Sequence, residues 1–175
     1  MMDLEDFRRK FRSWATAAIG SLLSASGCGI ILGPVFAPGT YAGDPDCSLH
    51  IVDPTGAEGD DEFSETTTLI VGSSHDFSIN GVEVAVGQQV VRSISSADLA
   101  FEITRVTRIG GVMWTVEYEP RPSLPGISVG GQLVETYQWM DGRIEVSADA
   151  DLVITDVSGE SSLTAHCRGV LTGQP

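Results

Sequence analysis

Two ionisable side chains occupy positions that the alternation of the sequence assigns to apolar faces of β-strands. Arg105 alternates with Ile103, and Glu135 alternates with Leu133. An ion on an inward face is costly unless it is paired or hydrogen-bonded. One interpretation is a pocket in which Arg105 holds a ligand carboxylate while aromatic side chains form apolar walls. The residues of this candidate pocket are Arg105, Trp114, Tyr118, Glu135, Tyr137 and Trp139.

Two structural interpretations compete with the pocket. In the first, Arg105 and Glu135 neutralise each other inside the protein. In the second, a β-bulge near Thr104 turns Arg105 to solvent, because Val106 interrupts the alternation there. We favour these structural interpretations over a ligand site, since aromatic residues on strand faces more often form the core.

Strands joined by glycine-containing turns have to position these residues. The dipeptides Asn80-Gly81, Gly110-Gly111 and Asp141-Gly142 each separate two runs of alternating apolar and polar residues. Pairing across each turn gathers the apolar residues on one face of an antiparallel sheet. The predicted opposed pairs are Ile79 with Val82, Phe77 with Val84, Ile109 with Val112, Thr107 with Trp114, Arg105 with Val116, Ile103 with Tyr118, Trp139 with Ile144, Tyr137 with Val146, Glu135 with Ala148 and Leu133 with Ala150.

The beginning of the chain resembles the export signal of a bacterial lipoprotein. Basic residues within 8–12 precede an apolar run, residues 14–25, which is too short to span a bilayer as a helix. Ala25-Ser26-Gly27-Cys28 resembles the lipobox of that family, in which small residues precede an obligatory cysteine. The resemblance implies cleavage before Cys28 and attachment of lipid to it, which would anchor the protein without crossing the membrane. An ordinary signal peptide that releases a free protein is the alternative.

Two further resemblances concern the destination of the protein. Gly29 is similar to the residues that permit passage to the outer membrane in lipoproteins of double-membrane bacteria. Arg8-Arg9 followed by Phe11 resembles a twin-arginine signal, which leaves the export route open. We therefore expect a lipid-anchored protein of the cell envelope.

The cysteine count agrees with the lipoprotein resemblance. The chain has three cysteines, so lipid on Cys28 leaves Cys47 and Cys167 to pair in an oxidising compartment. Two buried unpaired thiols are the alternative, favoured only if the protein is cytoplasmic. If Cys47 and Cys167 oppose each other on antiparallel strands, Leu49 opposes Ala165, Ile51 opposes Leu163, Ser48 opposes His166 and His50 opposes Thr164.

That register places the first and last strands side by side. We predict an all-β fold, an antiparallel meander of about 8–10 strands in a closed or nearly closed barrel, with a two-sheet β-sandwich as the alternative. Gly39-Thr40-Tyr41 resembles the Gly-x-Trp opening of lipocalin-like barrels over three residues, with Tyr41 in place of Trp. Residues 1–27 are predicted as a cleaved signal helix and 39–175 as a single β domain. Residues 28–38 suit a lipid-anchored tether or a packed entry strand.

Catalytic and metal-binding patterns are not found in the sequence. It contains no Gly-x-Ser-x-Gly, His-Glu-x-x-His or phosphate-cradling motif. His50 and His166 become diagonal neighbours on the outer face in the register above, but two imidazoles without a third ligand make a poor metal site. We predict a non-enzymatic domain with no catalytic residue, cofactor or metal.

Charge limits the partners of the protein. Residues 28–175 contain six arginines and 21 acidic residues, a net charge of −15. Such a surface repels phosphate backbones and anionic lipid, so we predict neither a nucleic-acid partner nor direct adsorption to anionic lipid. Residues 53–62 form a predicted acidic loop, whose spacing does not match a calcium-binding EF-hand. The expected function is binding of a small apolar or carboxylate-bearing ligand, or else a structural or protein-interaction role in the envelope.

Overall fold

The computed structural model describes residues 36–74, 76–94, 97–121 and 126–173, with side chains left undescribed at 92–94 and 97–99. The predicted signal segment 1–27, the predicted lipid-attachment residue Cys28 and residues 29–35 of the tether lie outside this part. No helix among the described residues is long and apolar enough to cross a membrane.

The described part of the chain forms antiparallel strands and contains no helix, as the alternating sequence predicts. In chain order the strands are β1 (Gly39–Gly43), β2 (Asp46–Val52), β3 (Glu58–Ser64), β4 (Thr67–Val71), β5 (Phe77–Ile79), β6 (Val82–Glu83), β7 (Gln89–Ile94), β8 (Ala97–Ile109), β9 (Met113–Arg121), β10 (Ser128–Met140), β11 (Arg143–Asp156) and β12 (Gly159–Gly173).

The strands form one sheet that nearly closes into a barrel. Its order is β6-β5-β4-β1-β12-β11-β10-β9-β8-β7, and β2 also pairs with β12 and with β3. The first and last strands are therefore neighbours, as predicted. Residues 84–87 carry the chain from one end of the sheet to the other: Val84 N donates to Phe77 O in β5, and Gly87 N donates to Ile103 O in β8.

The acidic segment 53–62, predicted as a loop, is a strand from Glu58 onward. Glu58–Ser64 pairs with β2 as β3, and only residues 53–57 form the connection. Pairing with β2 outweighs the low strand propensity of acidic residues. Among the described strands β3 pairs with β2 alone, so it is an edge whose carboxylates discourage pairing with another chain.

Two of the three predicted turns have the predicted register. Asn80, Gly81, Asp141 and Gly142 all adopt positive φ, which suits two-residue hairpin turns. Every predicted pair across the Asp141-Gly142 turn is present, from Trp139 with Ile144 to Leu133 with Ala150. Ile79 opposes Val82, and Phe77 accepts a backbone hydrogen bond from Val84.

Of the four pairs predicted across Gly110-Gly111, only Ile103 with Tyr118 is observed, and the other three are wrong. The loop contains three residues, so Ile109 opposes Met113 rather than Val112. Gly110 and Gly111 both have positive φ and accommodate this longer loop. A bulge between Ile103 and Arg105 then restores the predicted pairing of Ile103 with Tyr118.

Candidate functional site

Arg105 lies on the outer face of the barrel and does not join the candidate pocket. The bulge between Ile103 and Arg105 brings Arg105 opposite Glu117 instead of Val116, as the bulge interpretation predicts. The Arg105 side chain is 69% exposed, and its Nη1 lies 3.4 Å from Glu117 Oε1. A ligand carboxylate inside the barrel would therefore not meet this guanidinium.

Glu135 is buried and takes its partners from two tyrosines rather than from Arg105. The hydroxyl of Tyr118 donates to Glu135 Oε2 at 2.5 Å, and that of Tyr137 donates to the same oxygen at 3.1 Å. Strand alternation on β9 and β10 directs all three side chains inward. These two hydrogen bonds offset part of the cost of burying the carboxyl group.

Three aromatic residues of the candidate pocket, Trp114, Tyr137 and Trp139, pack in the core at one end of the barrel. The ring of Trp114 lies between Phe36 and Phe77, with centroid distances of 4.3 and 3.9 Å; we call these three rings the ring stack. Trp139 packs against Tyr41 edge to face. Trp114 is 1% exposed and Phe36 is fully buried, so the described side chains fill this end.

Phe36 is a core residue that the sequence analysis assigned to the tether or to an entry strand. Its backbone N–H donates to Gly111 O at 3.1 Å, which fixes the entering chain to the β8–β9 loop. The segment is broken by prolines and shows no alternation, so periodicity gives no sign of its burial. Only the apolar character of residues 30–36 hints at packing.

An open groove lies at the other end of the barrel, where β9 and β10 separate. Their pairing stops at Tyr118 and Leu133, although β9 continues to Arg121 and β10 begins at Ser128. The groove has a volume of about 300 Å³. It is lined by Thr104, Glu117, Tyr118, Glu119, Pro120, Val129, Gly130, Gly131 and Gln132. Tyr118 thus belongs both to the groove and to the buried pair with Glu135.

The predicted disulfide between Cys47 and Cys167 is present and joins β2 to β12. The predicted neighbouring pairs, Leu49 with Ala165 and Ile51 with Leu163, are also observed. A carboxylate oxygen of Glu65 lies within 4.8 Å of both sulfur atoms. Because the sulfurs are bonded to each other, neither is a thiolate that could hold a metal.

The two outer-face histidines each contact a carboxylate. His50 Nδ1 lies 2.7 Å from Asp60 Oδ1, and His166 Nδ1 lies 2.8 Å from Asp149 Oδ1. Partial burial acts to raise the pKa of Asp149, but hydrogen bonds from His166 and Arg168 outweigh it and hold that pKa below its ordinary value. The histidines therefore belong to hydrogen-bonded pairs with carboxylates on the sheet surface.

Two aspartates shape the turns at the groove end of the barrel. The side-chain hydroxyl of Thr55 donates to Asp53 and lowers its pKa, and further hydrogen bonds from the backbone act in the same direction. The hydroxyl of Ser158 lowers the pKa of Asp156 in the same way. Both carboxylates are held in the ionised form by the turns that they stabilise.

These features give the barrel a filled end and an open end. Side chains pack closely at the filled end. The open end has a polar groove beside the buried carboxyl group of Glu135 and the hydroxyls of Tyr118 and Tyr137. No protein-family model, curated protein or solved structure matches the chain.

Proposed function

We propose that the protein is an exported lipoprotein whose barrel serves the cell envelope as a non-enzymatic structural or protein-interaction module. The observation that carries this proposal is the ring stack of Phe36, Trp114 and Phe77. A carrier of apolar ligands needs an apolar cavity. In this barrel Trp114, Tyr137 and Trp139 pack against other core rings instead.

The cysteine pairing supports the lipid anchor. Cys47 and Cys167 are bonded to each other, which leaves Cys28 as the odd cysteine of the chain. Disulfides persist in oxidising compartments outside the cytoplasm, where an exported protein would be found. Cys28 is also the residue at which the lipobox resemblance would place the lipid.

The outer face supports a protein partner of opposite charge. Glu58, Asp60 and Glu62 project from the edge strand β3, and Asp151 is exposed on β11. Such an acidic face attracts basic protein surfaces and accelerates their association. The same charge disfavours nucleic acid as a partner.

Intact mass spectrometry of protein purified with detergent from its native host tests this proposal. The expected species begins at Cys28, carries two or three acyl chains and gains about two daltons on reduction of the disulfide. An acyl-free mass that includes residues 1–27 would overturn both the anchor and the envelope location.

Binding of a small ligand in the groove is the second candidate function. It is supported by the groove beside Tyr118, which has a volume of about 300 Å³. Glu117 and Glu119 line this groove and favour a polar or cationic molecule over a carboxylate. Native mass spectrometry of the purified protein would show a co-purifying small molecule. Loss of that molecule in Gln132→Ala, with retention in the outer-face variant Gln138→Ala, would assign it to the groove.

A further inference from the structure

The ring-stack end of the barrel is where the chain enters the fold. Phe36 N donates to Gly111 O at 3.1 Å, and Trp139 N donates to Val112 O at 2.7 Å. The first bond fixes the entering chain to the β8–β9 loop, and the second joins that loop to β10. We call this end the tether rim; it consists of Phe36, residues 108–113 and residues 139–143.

The length of the chain before Phe36 limits the distance of the rim from a lipid on Cys28. Eight residue steps separate Cys28 from Phe36, and a fully extended chain covers at most about 29 Å over that number. Strand β11 alone extends about 45 Å at the usual rise per residue. A lipid on Cys28 would therefore keep the tether rim near the bilayer and let the groove end lie far from it.

The surface of the tether rim combines apolar and cationic side chains. Ile109 is 50% exposed and Met140 is 37% exposed. Arg108 and Arg143 are exposed beside them, and Arg108 lies over the Trp114 ring at 5.4 Å. Apolar residues flanked by arginines suit the headgroup region of a bilayer, where the arginines can contact phosphates.

The charges of the two ends differ. Asp141 is the exposed acid of the tether rim, Asp76 is exposed in the turn before Phe77 of the ring stack, and Glu145 faces Arg143 at 3.4 Å. At the groove end, exposed acids occupy adjoining turns and strand ends: Glu58, Glu119, Asp156 and Glu160. Anionic lipid headgroups repel the groove end more strongly than the rim.

We infer that the tether rim is a membrane-contact surface on which Ile109 and Met140 enter the headgroup region while Arg108 and Arg143 contact lipid phosphates. This inference rests on the proposed lipid anchor at Cys28. The groove and the acidic edge strand β3 then face away from the bilayer, accessible to partners.

Vesicle partitioning of a protein with a chemically attached lipid tests the contact surface. Residues 28–175 are prepared with the disulfide formed, so Cys28 supplies the free thiol for a maleimide bearing one 14-carbon chain. Binding is measured on vesicles of 70% phosphatidylcholine and 30% phosphatidylglycerol. The rim variant carries both Ile109→Asp and Met140→Asp. The groove-end variant carries both Val153→Asp and Val157→Asp, which add the same charge at exposed positions near the groove end.

We expect the rim variant to lose about tenfold in partition coefficient, because each added charge near an anionic surface weakens binding severalfold. The groove-end variant should remain within about twofold of the parent. Equal losses in the two variants would overturn the inference.

Hydrogen exchange on the same vesicles gives a second readout that needs no substitution. Backbone amides of residues 110–113 and 140–143 should exchange more slowly on vesicles than in solution, whereas those of residues 156–159 should not change. Protection of residues 156–159 instead would mean that the opposite end contacts the membrane. Because the acyl chain is attached chemically, these outcomes are independent of whether the native host lipidates Cys28, which the intact mass decides.

Discussion

The two ends of the barrel are held together by different interactions. At the tether rim, stacked aromatic rings exclude water and the entering chain completes the core. At the groove end, β9 and β10 separate, and hydrogen bonds to carboxylates hold Tyr118 and the turns in place. We therefore expect the ring stack to contribute more to stability than the groove end, which presents a polar surface.

Replacing Trp114 with alanine should reduce the stability of the protein more than any other change considered. Its ring contacts Phe36 and Phe77, so truncation leaves a cavity and should cost about 3–5 kcal/mol of unfolding free energy. Chemical denaturation at neutral pH measures the loss. Thr115→Ala, on the same strand but facing outward, is the control and should lose less than about 1 kcal/mol. Equal losses would show that the ring stack is not the stability centre.

Removal of the Tyr118 hydroxyl should cause the next largest loss of stability. Tyr118→Phe removes the 2.5 Å hydrogen bond to buried Glu135 and should cost about 1.5–3 kcal/mol. Tyr137→Phe removes a longer bond to the same oxygen, 3.1 Å, and should cost less. Denaturation of both variants under identical conditions tests the order. A larger loss in Tyr137→Phe would contradict it.

The close approach of β10 and β11 beside the groove can be tested with two adjacent glycines. A Cβ on Gly131, whose φ is +106°, would lie 2.0 Å from the carbonyl oxygen of Asp151, whereas one on Gly130 would meet nothing within 4 Å. Gly131→Ala should therefore destabilise the protein by about 1–3 kcal/mol. Gly130→Ala should change stability by less than about 0.5 kcal/mol. Thermal or chemical unfolding of the pair is the measurement.

Acid should loosen the groove end before the tether rim. Asp53 and Asp156 have pKa values below the ordinary 3.8 because hydrogen bonds in the turns favour their ionised forms. Their stabilisation is therefore present above the unfolded pKa and is lost as pH falls through the lower folded values. Amides of residues 53–57 and 156–159 should lose protection first, as measured by hydrogen exchange between about pH 4 and pH 2. Asp53→Asn should abolish this pH response in residues 53–57.

Local patterns predicted the fold wherever turn length and alternation agreed. The Asp141-Gly142 turn closes with two residues, so the alternation on β10 and β11 determines every pair. The Cys47–Cys167 pairing, 120 residues apart in sequence, was predicted by assigning Cys28 to the lipobox, which leaves two cysteines, and by an apolar register between their strands. Gly110-Gly111 misled the prediction because glycine permits either a two-residue or a three-residue loop.

The candidate site could be predicted only in part. Alternation placed Tyr118, Glu135 and Tyr137 inside the barrel, but it does not show that both hydroxyls share one carboxylate oxygen. The groove escaped prediction because it arises where two strands separate, and sequence patterns do not encode such a gap. Strand β3 was missed because its acidic residues have low strand propensity, which pairing with β2 overrides.

Strand β12 also determines the order in which the barrel can be completed. It pairs with β1, β2 and β11, so β1 and β2 cannot complete their pairing in the sheet until residues 159–173 have folded. Contacts this distant in sequence slow folding and extend the lifetime of partly folded chains. During that interval the β2–β3 hairpin can form from local contacts. The carboxylates of β3 would then discourage the exposed edge of the β2–β3 hairpin from pairing with other copies of the chain.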